Sequence, residues 1–175
     1  MKQAMIIGLT LAIASVSSAA RADEIVVTVH LATQAGPGKE VGNIKVQDTA
    51  YGALFTPALH DLPPGLHGFH VHEHAHCGPA DKDGTMTPGL AAGNHFDPGK
   101  TGKHLGPYGD GHLGDLPPLY VDAEGKSTLP VLAPRLEVKD LKGRSLMIHA
   151  GGDNFSDQPA ALGGGGARIA CGTVE

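Results

Sequence analysis

The segment from Cys77 to Pro118 constrains this chain more than any other. It shows no strand or helix periodicity and few large apolar residues, yet it lies between stretches that have both. A structureless segment of that length inside a compact domain normally serves a function. Ordering it costs backbone entropy that its own packing does not offset. It carries His95, His104, His112 and Asp115, and it begins at a cysteine. These are the residue types through which a metal ion or a disulfide orders a loop.

Around that segment the chain reads as short strands. Alternating runs occur at 24–31, 41–46, 53–58, 66–73, 119–123, 127–132, 145–150 and 167–174. Turn residues separate them, including Gly36-Pro37-Gly38, Leu62-Pro63-Pro64-Gly65 and Ala123-Glu124-Gly125. Without a βαβ rhythm this predicts an all-β, antiparallel sandwich or barrel in a single domain. A second loop, Gly151 to Gly166, is rich in glycine and joins the last two runs. The 11 histidines outnumber the 4 Phe, 3 Tyr and 0 Trp together, which suits strands whose loops are held by metals.

The first residues read as a secretory signal peptide, 1–22. Lys2 precedes an apolar run, small residues follow, and Ala20-Arg21-Ala22 supplies the cleavage pattern. The other reading, a membrane anchor, is disfavoured by the shortness of the run. The exported domain is then 23–175. Removing Lys2 and Arg21, and no acid, takes the net charge from −5 to −7. Such a chain offers no basic face for nucleic acid and, after cleavage, none for an anionic membrane. The two cysteines, Cys77 and Cys171, read in an exported chain as one disulfide.

Four constellations carry chemistry. His70 and His72 alternate on a strand and so share a face, which makes a pair of metal ligands. His74 and His76 continue the alternation, and spacing alone does not say which pair binds. If the strand ends near Glu73, the later two lose the shared face. His95, His104, His112 and Asp115 can fill a closed tetrahedral zinc shell. His149 ends the run Ser145-Leu146-Met147-Ile148, with Met147 and His149 on one face and Leu146 and Ile148 on the other. Arg168, three residues before Cys171, reads by itself as a surface charge.

GFHVHE, GNHFDP, GKHLGP, GHLGD, SLMIHAGGDN and GGGGARIACG together resemble the copper/zinc superoxide dismutases, in particular their bacterial exported branch. The resemblance covers essentially all of 23–175. It implies an eight-stranded Greek-key β-barrel with long metal-binding and disulfide loops. It implies copper on His70, His72, His95 and His149, and zinc on His95, His104, His112 and Asp115, with His95 shared. Asp153 would link His70 to His104, and Cys77 would pair with Cys171. His95 and Arg168 would serve catalysis, Arg168 beside the open copper position. The implied activity is dismutation of superoxide in the periplasm, by a homodimer or a monomer. Lys82 is a candidate for steering the anion. His74 and His76 are extra to the family pattern and are expected to be idle; His30 and His60 read as ordinary surface or edge residues, and His67 as structural. A copper/zinc carrier without catalysis is the alternative, and it would need neither Arg168 nor a shared ligand; an inert domain would be expected to lack ligands.

Overall fold

The structure, a computed structural model, describes residues 23–175. The expected signal segment 1–22 lies outside them. Eleven strands occur: β1 Glu24–Thr33, β2 Gly36–Thr49, β3 Gly52–Leu59, β4 Gly65–His67, β5 Phe69–His72, β6 Ala80–Lys82, β7 Thr85–Thr87, β8 Leu119–Val121, β9 Val131–Ala133, β10 Arg144–His149 and β11 Arg168–Val174. Among the described residues helical structure is limited to single 3-10 turns, such as Leu90–Ala92. No helix among the described residues is long and apolar enough to cross a membrane.

The main sheet runs β5-β10-β11-β1-β2-β3-β9, and β4 pairs with β8. β4 and β5 are one strand interrupted at Gly68. Joining them gives eight antiparallel strands in the order β8-β4/β5-β10-β11-β1-β2-β3-β9. The chain leaves β3 for β4 and β9 for β10 without pairing them, which are the crossovers of a Greek key. The β8–β9 connection returns to the end of β3, where Leu59 bridges Ser127 and Leu62 N–H donates to Gly125 O (3.2 Å).

Period-two burial builds the core. In β3 Ala53, Phe55 and Leu59 point inward; Val27 and Val29 of β1 and Ile44 and Val46 of β2 join them. Phe55 meets Phe69 edge to face at 5.6 Å. In β5 all four residues are buried, for two different reasons. Phe69 and Val71 enter the core, whereas His70 and His72 point outward and are covered by the long loops. β10 repeats the scheme: Leu146 and Ile148 enter the core, while Met147 packs on the other face with Cys77, Ala92 and Cys171.

Several sequence expectations need correction. Gly36-Pro37-Gly38 is not a turn; it begins β2, and the turn is Gln34-Ala35. Thr33 fixes it there, its hydroxyl donating to Gly36 O (2.7 Å) and accepting from Ala35 N (3.2 Å). The run 66–73 breaks at Gly68, whose N–H donates to Gly151 O in the loop beyond β10 and whose C=O accepts from His149 N at the end of β10. The run 127–132 keeps only the bridge at Ser127 and the short β9. The segment 77–118 is not strandless, because β6 and β7 form a hairpin around Asp83-Gly84, both at positive φ (55° and 81°). That dipeptide is a hairpin signal in its own right.

Cys77 and Cys171 form the disulfide, with Cα atoms 5.6 Å apart and a sequence separation of 94. It ties the start of the long loop to β11. Replacing both cysteines by serine is expected to lower the unfolding free energy by up to about 4–5 kcal/mol, the chain-entropy value for so long a loop. A lower urea midpoint, with an m-value that rises as the denatured chain expands, checks this.

Candidate metal centre

The outer face of β5 and β10 supplies the first cluster. β5 carries His70 and His72, and β10 ends at His149. The free edge of β5 is occupied by the long loop: Val71 N–H donates to Gly114 O (2.9 Å) and Val71 O accepts from Phe96 N (2.8 Å). This pairing brings His95 opposite His72 and Asp115 opposite His70. Backbone hydrogen bonds to one strand edge therefore deliver a loop histidine and a loop carboxylate to the strand histidines.

Two sets of four ligand atoms result, each set lying within 4.8 Å of one another: His70, His72, His95 and His149, and His95, His104, His112 and Asp115. His95 belongs to both. The seven residues expected as metal ligands are brought together here. The strand ends at His72, so of the alternating run only His70 and His72 share its face. His74 and His76 are exposed beyond it and belong to neither cluster.

Each ring has one nitrogen held by the protein. His70 Nε2 donates to Asp153 Oδ2 (2.7 Å), His72 Nδ1 to Gly93 O (2.9 Å), His149 Nδ1 to Gly166 O (3.2 Å), and His104 Nε2 to Asp153 Oδ1 (2.8 Å). Since carbonyls and carboxylates only accept, the opposite nitrogens carry the lone pairs. Those are His70 Nδ1, His72 Nε2, His149 Nε2 and His104 Nδ1, all buried without a hydrogen-bond partner, as is His95 Nε2. Buried polar atoms are rarely left so. Four of them belong to the first cluster and His104 Nδ1 to the second, which leaves inward lone pairs that metal ions could use.

The second cluster has the matching shape. Nδ1 of His95, His104 and His112 lie 3.0, 3.0 and 3.3 Å from Asp115 Oδ1. The His104 contact is close yet off the hydrogen-bonding direction, so its Nδ1 points past the carboxylate oxygen. Ligands about 2.0–2.1 Å from a tetrahedral zinc ion lie about 3.3 Å apart, and the three contacts to Asp115 Oδ1 fall at or slightly inside that spacing. Asp153 joins the two clusters by holding one ring of each, the link that the family resemblance implied. Gly163 makes room for it: at φ 70°, its Cβ would fall 2.2 Å from Asp153 Oδ1. His67 is structural, its nitrogens facing the carbonyls of His149 and Pro63, both at 2.7 Å.

Arg168 is no surface charge. It is half-buried, and its two terminal nitrogens donate to Gly89 O (2.6 Å) and Gly93 O (2.7 Å). Gly93 O is the carbonyl that also orients His72, so one backbone group positions both. Arg168 borders an open cavity of about 430 Å³ whose lining includes His95, His149, Leu162 and Lys82. Lys82 stands on β6, not in a loop as expected.

Three positioning residues escaped the sequence analysis. Arg135 donates to four loop carbonyls. Arg144 stacks on Phe96, its guanidinium carbon 3.4 Å from the ring centre, and donates to Glu73 O. Gly163 is the third. An arginine bonded only to carbonyls leaves no motif, and one glycine in a run of four does not stand out.

The family model described as copper/zinc superoxide dismutase (SODC) matches residues 40–174. The chain belongs to the copper/zinc superoxide dismutase family. It is 57% identical over 160 residues to "Superoxide dismutase [Cu-Zn] 1" of Salmonella typhimurium, covering 90% of each chain. It is 52% identical over 155 residues to the Brucella abortus superoxide dismutase [Cu-Zn], covering 88% of this chain and 90% of that one. The solved Brucella abortus Cu/Zn superoxide dismutase superposes with a TM-score of 0.86 at 52% identity, over 87% of this chain and all of the other (100%). The monomeric Salmonella enterica enzyme gives 0.79 at 51% identity, with the same coverage of 87% and 100%.

With no metal on them, the rings compete for protons. Burial, reinforced by neighbouring His95, pushes His70 down to about 3. Burial likewise pushes His149 to about 4 and holds His72 well below 6.5. Burial also opposes charge on His104, but the Asp115 and Asp153 carboxylates outweigh it and raise the ring to about 9. Below pH 6.5 the unfolded chain therefore binds protons that folded His70, His72 and His149 refuse, and stability falls as pH falls. The slope is up to about 1.4 kcal/mol per pH unit for each ring. The His104 contribution has the opposite sign: complete below 6.5, it is lost as pH rises toward about 9. The chelated protein should thus be most stable near pH 6.5, with lower urea midpoints at pH 5 and pH 8.5. A flat profile between pH 6.5 and 5 would contradict the burial of neutral rings.

Proposed function

We propose that the protein dismutes superoxide to dioxygen and hydrogen peroxide, with copper on His70, His72, His95 and His149 and zinc on His95, His104, His112 and Asp115. The observation that carries this reading is the single ring, His95, belonging to both ligand sets beside an arginine at the mouth of an open cavity. A carrier has no use for either feature.

When bound, copper supplies a one-electron couple and zinc a fixed, redox-silent charge. The chain's own residues do the rest. Arg168, with two N–H groups fixed on glycine carbonyls, turns its remaining donors to a small anion entering the cavity. One superoxide gives up an electron and leaves as dioxygen. Another accepts that electron and two protons and leaves as hydrogen peroxide. His95 Nε2 is the buried atom that faces the first cluster, so it is placed to hold and pass a proton there. Asp153 keeps His70 and His104 in the tautomers that present lone pairs inward. Lys82 adds positive charge at the cavity rim of an otherwise acidic protein, where it favours capture of an anion.

The same proposal places the enzyme in the periplasm, with 1–22 as signal peptide and 23–175 as the exported domain. The charged start, the apolar run and Ala20-Arg21-Ala22 support export, as does the disulfide. The homodimer stays an expectation of the family resemblance, beside the monomer of the Salmonella enterica relative.

The test is the dismutation rate of the purified protein with copper and zinc counted in the same sample. A rate approaching the diffusional ceiling of about 10⁸–10⁹ M⁻¹s⁻¹ at one copper and one zinc per chain is expected. Full metal loading with no rate above buffer would leave the carrier. Arg168→Ala should lower the rate about ten- to hundred-fold at unchanged metal content, the worth of a charge-assisted hydrogen bond. Lys82→Ala should lower it less and flatten its dependence on salt. No change in either quantity would remove Lys82 from the mechanism.

A further inference from the structure

Arg135 follows β9 and reaches out of the barrel into the long loop. Its Nε donates to Pro107 O (3.0 Å) and its Nη1 to Gly111 O (3.2 Å). Its Nη2 donates to Gly106 O (3.2 Å) and to His112 O (2.6 Å). All four accepting residues are buried. Two lie on the chain leaving His104, and two on the chain arriving at His112. One guanidinium therefore closes the neck of the loop 106–112 from both sides. The neighbouring links, His112 N to Lys103 O (2.9 Å) and Leu105 N to Asp115 Oδ2 (3.2 Å), hold the same two stretches together.

We propose that Arg135 is a positioning residue for zinc, fixing the separation of His104 and His112 before the ion arrives. This rests on the zinc assignment given above. The physical reason is preorganisation. The loop is poor in apolar residues, so without a clamp the ion itself must supply the free energy of ordering it, and its affinity falls by that amount. The fork geometry matters as much as the charge. Guanidinium offers five donors in a plane and can serve carbonyls on opposite sides of the neck. Lysine offers three donors from one point on a flexible stem and cannot span them. The first cluster receives no hydrogen bond from Arg135, so copper affinity is set elsewhere.

The experiment measures zinc dissociation by competition with a chromogenic chelator, on the purified protein and on Arg135→Lys, with copper dissociation measured separately on zinc-free samples. Zinc should bind about ten- to hundred-fold more weakly to the variant, the usual cost of losing an outer partner of a metal ligand, while copper changes by less than about two-fold. Zinc affinity unchanged in a folded variant would overturn the clamp and leave the zinc assignment standing. Equal weakening of both metals would also overturn it, since a general loss of stability acts on both. If the unmodified protein takes up no zinc, or if His104→Ala retains it, the assignment falls and the clamp with it. Arg135→Gln, which keeps a neutral donor, replaces the lysine variant if that one does not fold.

Discussion

A single imidazole facing two ligand sets is the constraint on which the rest of the structure turns. His95 must lie between the strand histidines and the loop ligands, buried, with both nitrogens available. The sheet edge makes this possible. Val71 exchanges backbone hydrogen bonds with Phe96 and Gly114, so the loop is zipped to β5 as though it were a further strand. Side chains alternate along both partners, which turns Phe69 and Val71 to the core and the histidines to the loop side. A one-residue slip would exchange the two sets and destroy core and site together.

Six buried imidazoles and the carboxylates of Asp115 and Asp153 are costly to enclose unless each is satisfied. The protein meets the cost in layers. Asp153, Gly93 and Gly166 take one nitrogen of each copper-side ring other than His95, and Asp153 takes one of His104 as well. The lone pairs that remain are left for metal ions in the proposed assignment. The loops themselves contribute little apolar burial. Their order comes from the disulfide at one end, from Arg135 at the neck and from Arg144 against Phe96. Arg168 depends on that order, because the glycine carbonyls that hold it belong to the loop tied down by Cys77.

The candidate loop ligands His95, His104, His112 and Asp115 were legible because few residue types bind metals and these stood beside glycine and proline; the choice of His70 and His72 over His74 and His76, and the inclusion of His149, came only from the family resemblance. The β-rich class was legible from alternation in runs such as 53–58. What escaped was what backbone groups decide. Alternation extended through Gly68, yet β4 and β5 separate there, because β4 pairs with β8 and β5 with β10, and the Gly68 N–H goes to Gly151 O in the loop beyond β10. Pro37 and two glycines read as a turn, but Thr33 caps the turn before them. Residues 127–132 alternate well and still form little strand, since only Ser127, Val131 and Leu132 find partners on β3. Arg135 and Arg144 were invisible for a related reason. Their partners are mainly carbonyls, which every residue has.

The most direct measurement is the electron paramagnetic resonance of copper in the protein, first alone and then with cobalt(II) in the second cluster. Two paramagnetic ions joined through the two nitrogens of His95 couple to each other, so the copper signal should disappear as cobalt fills its site. A full copper signal at one cobalt per chain would mean that His95 does not join the two sites, and the shared-ligand account would be wrong.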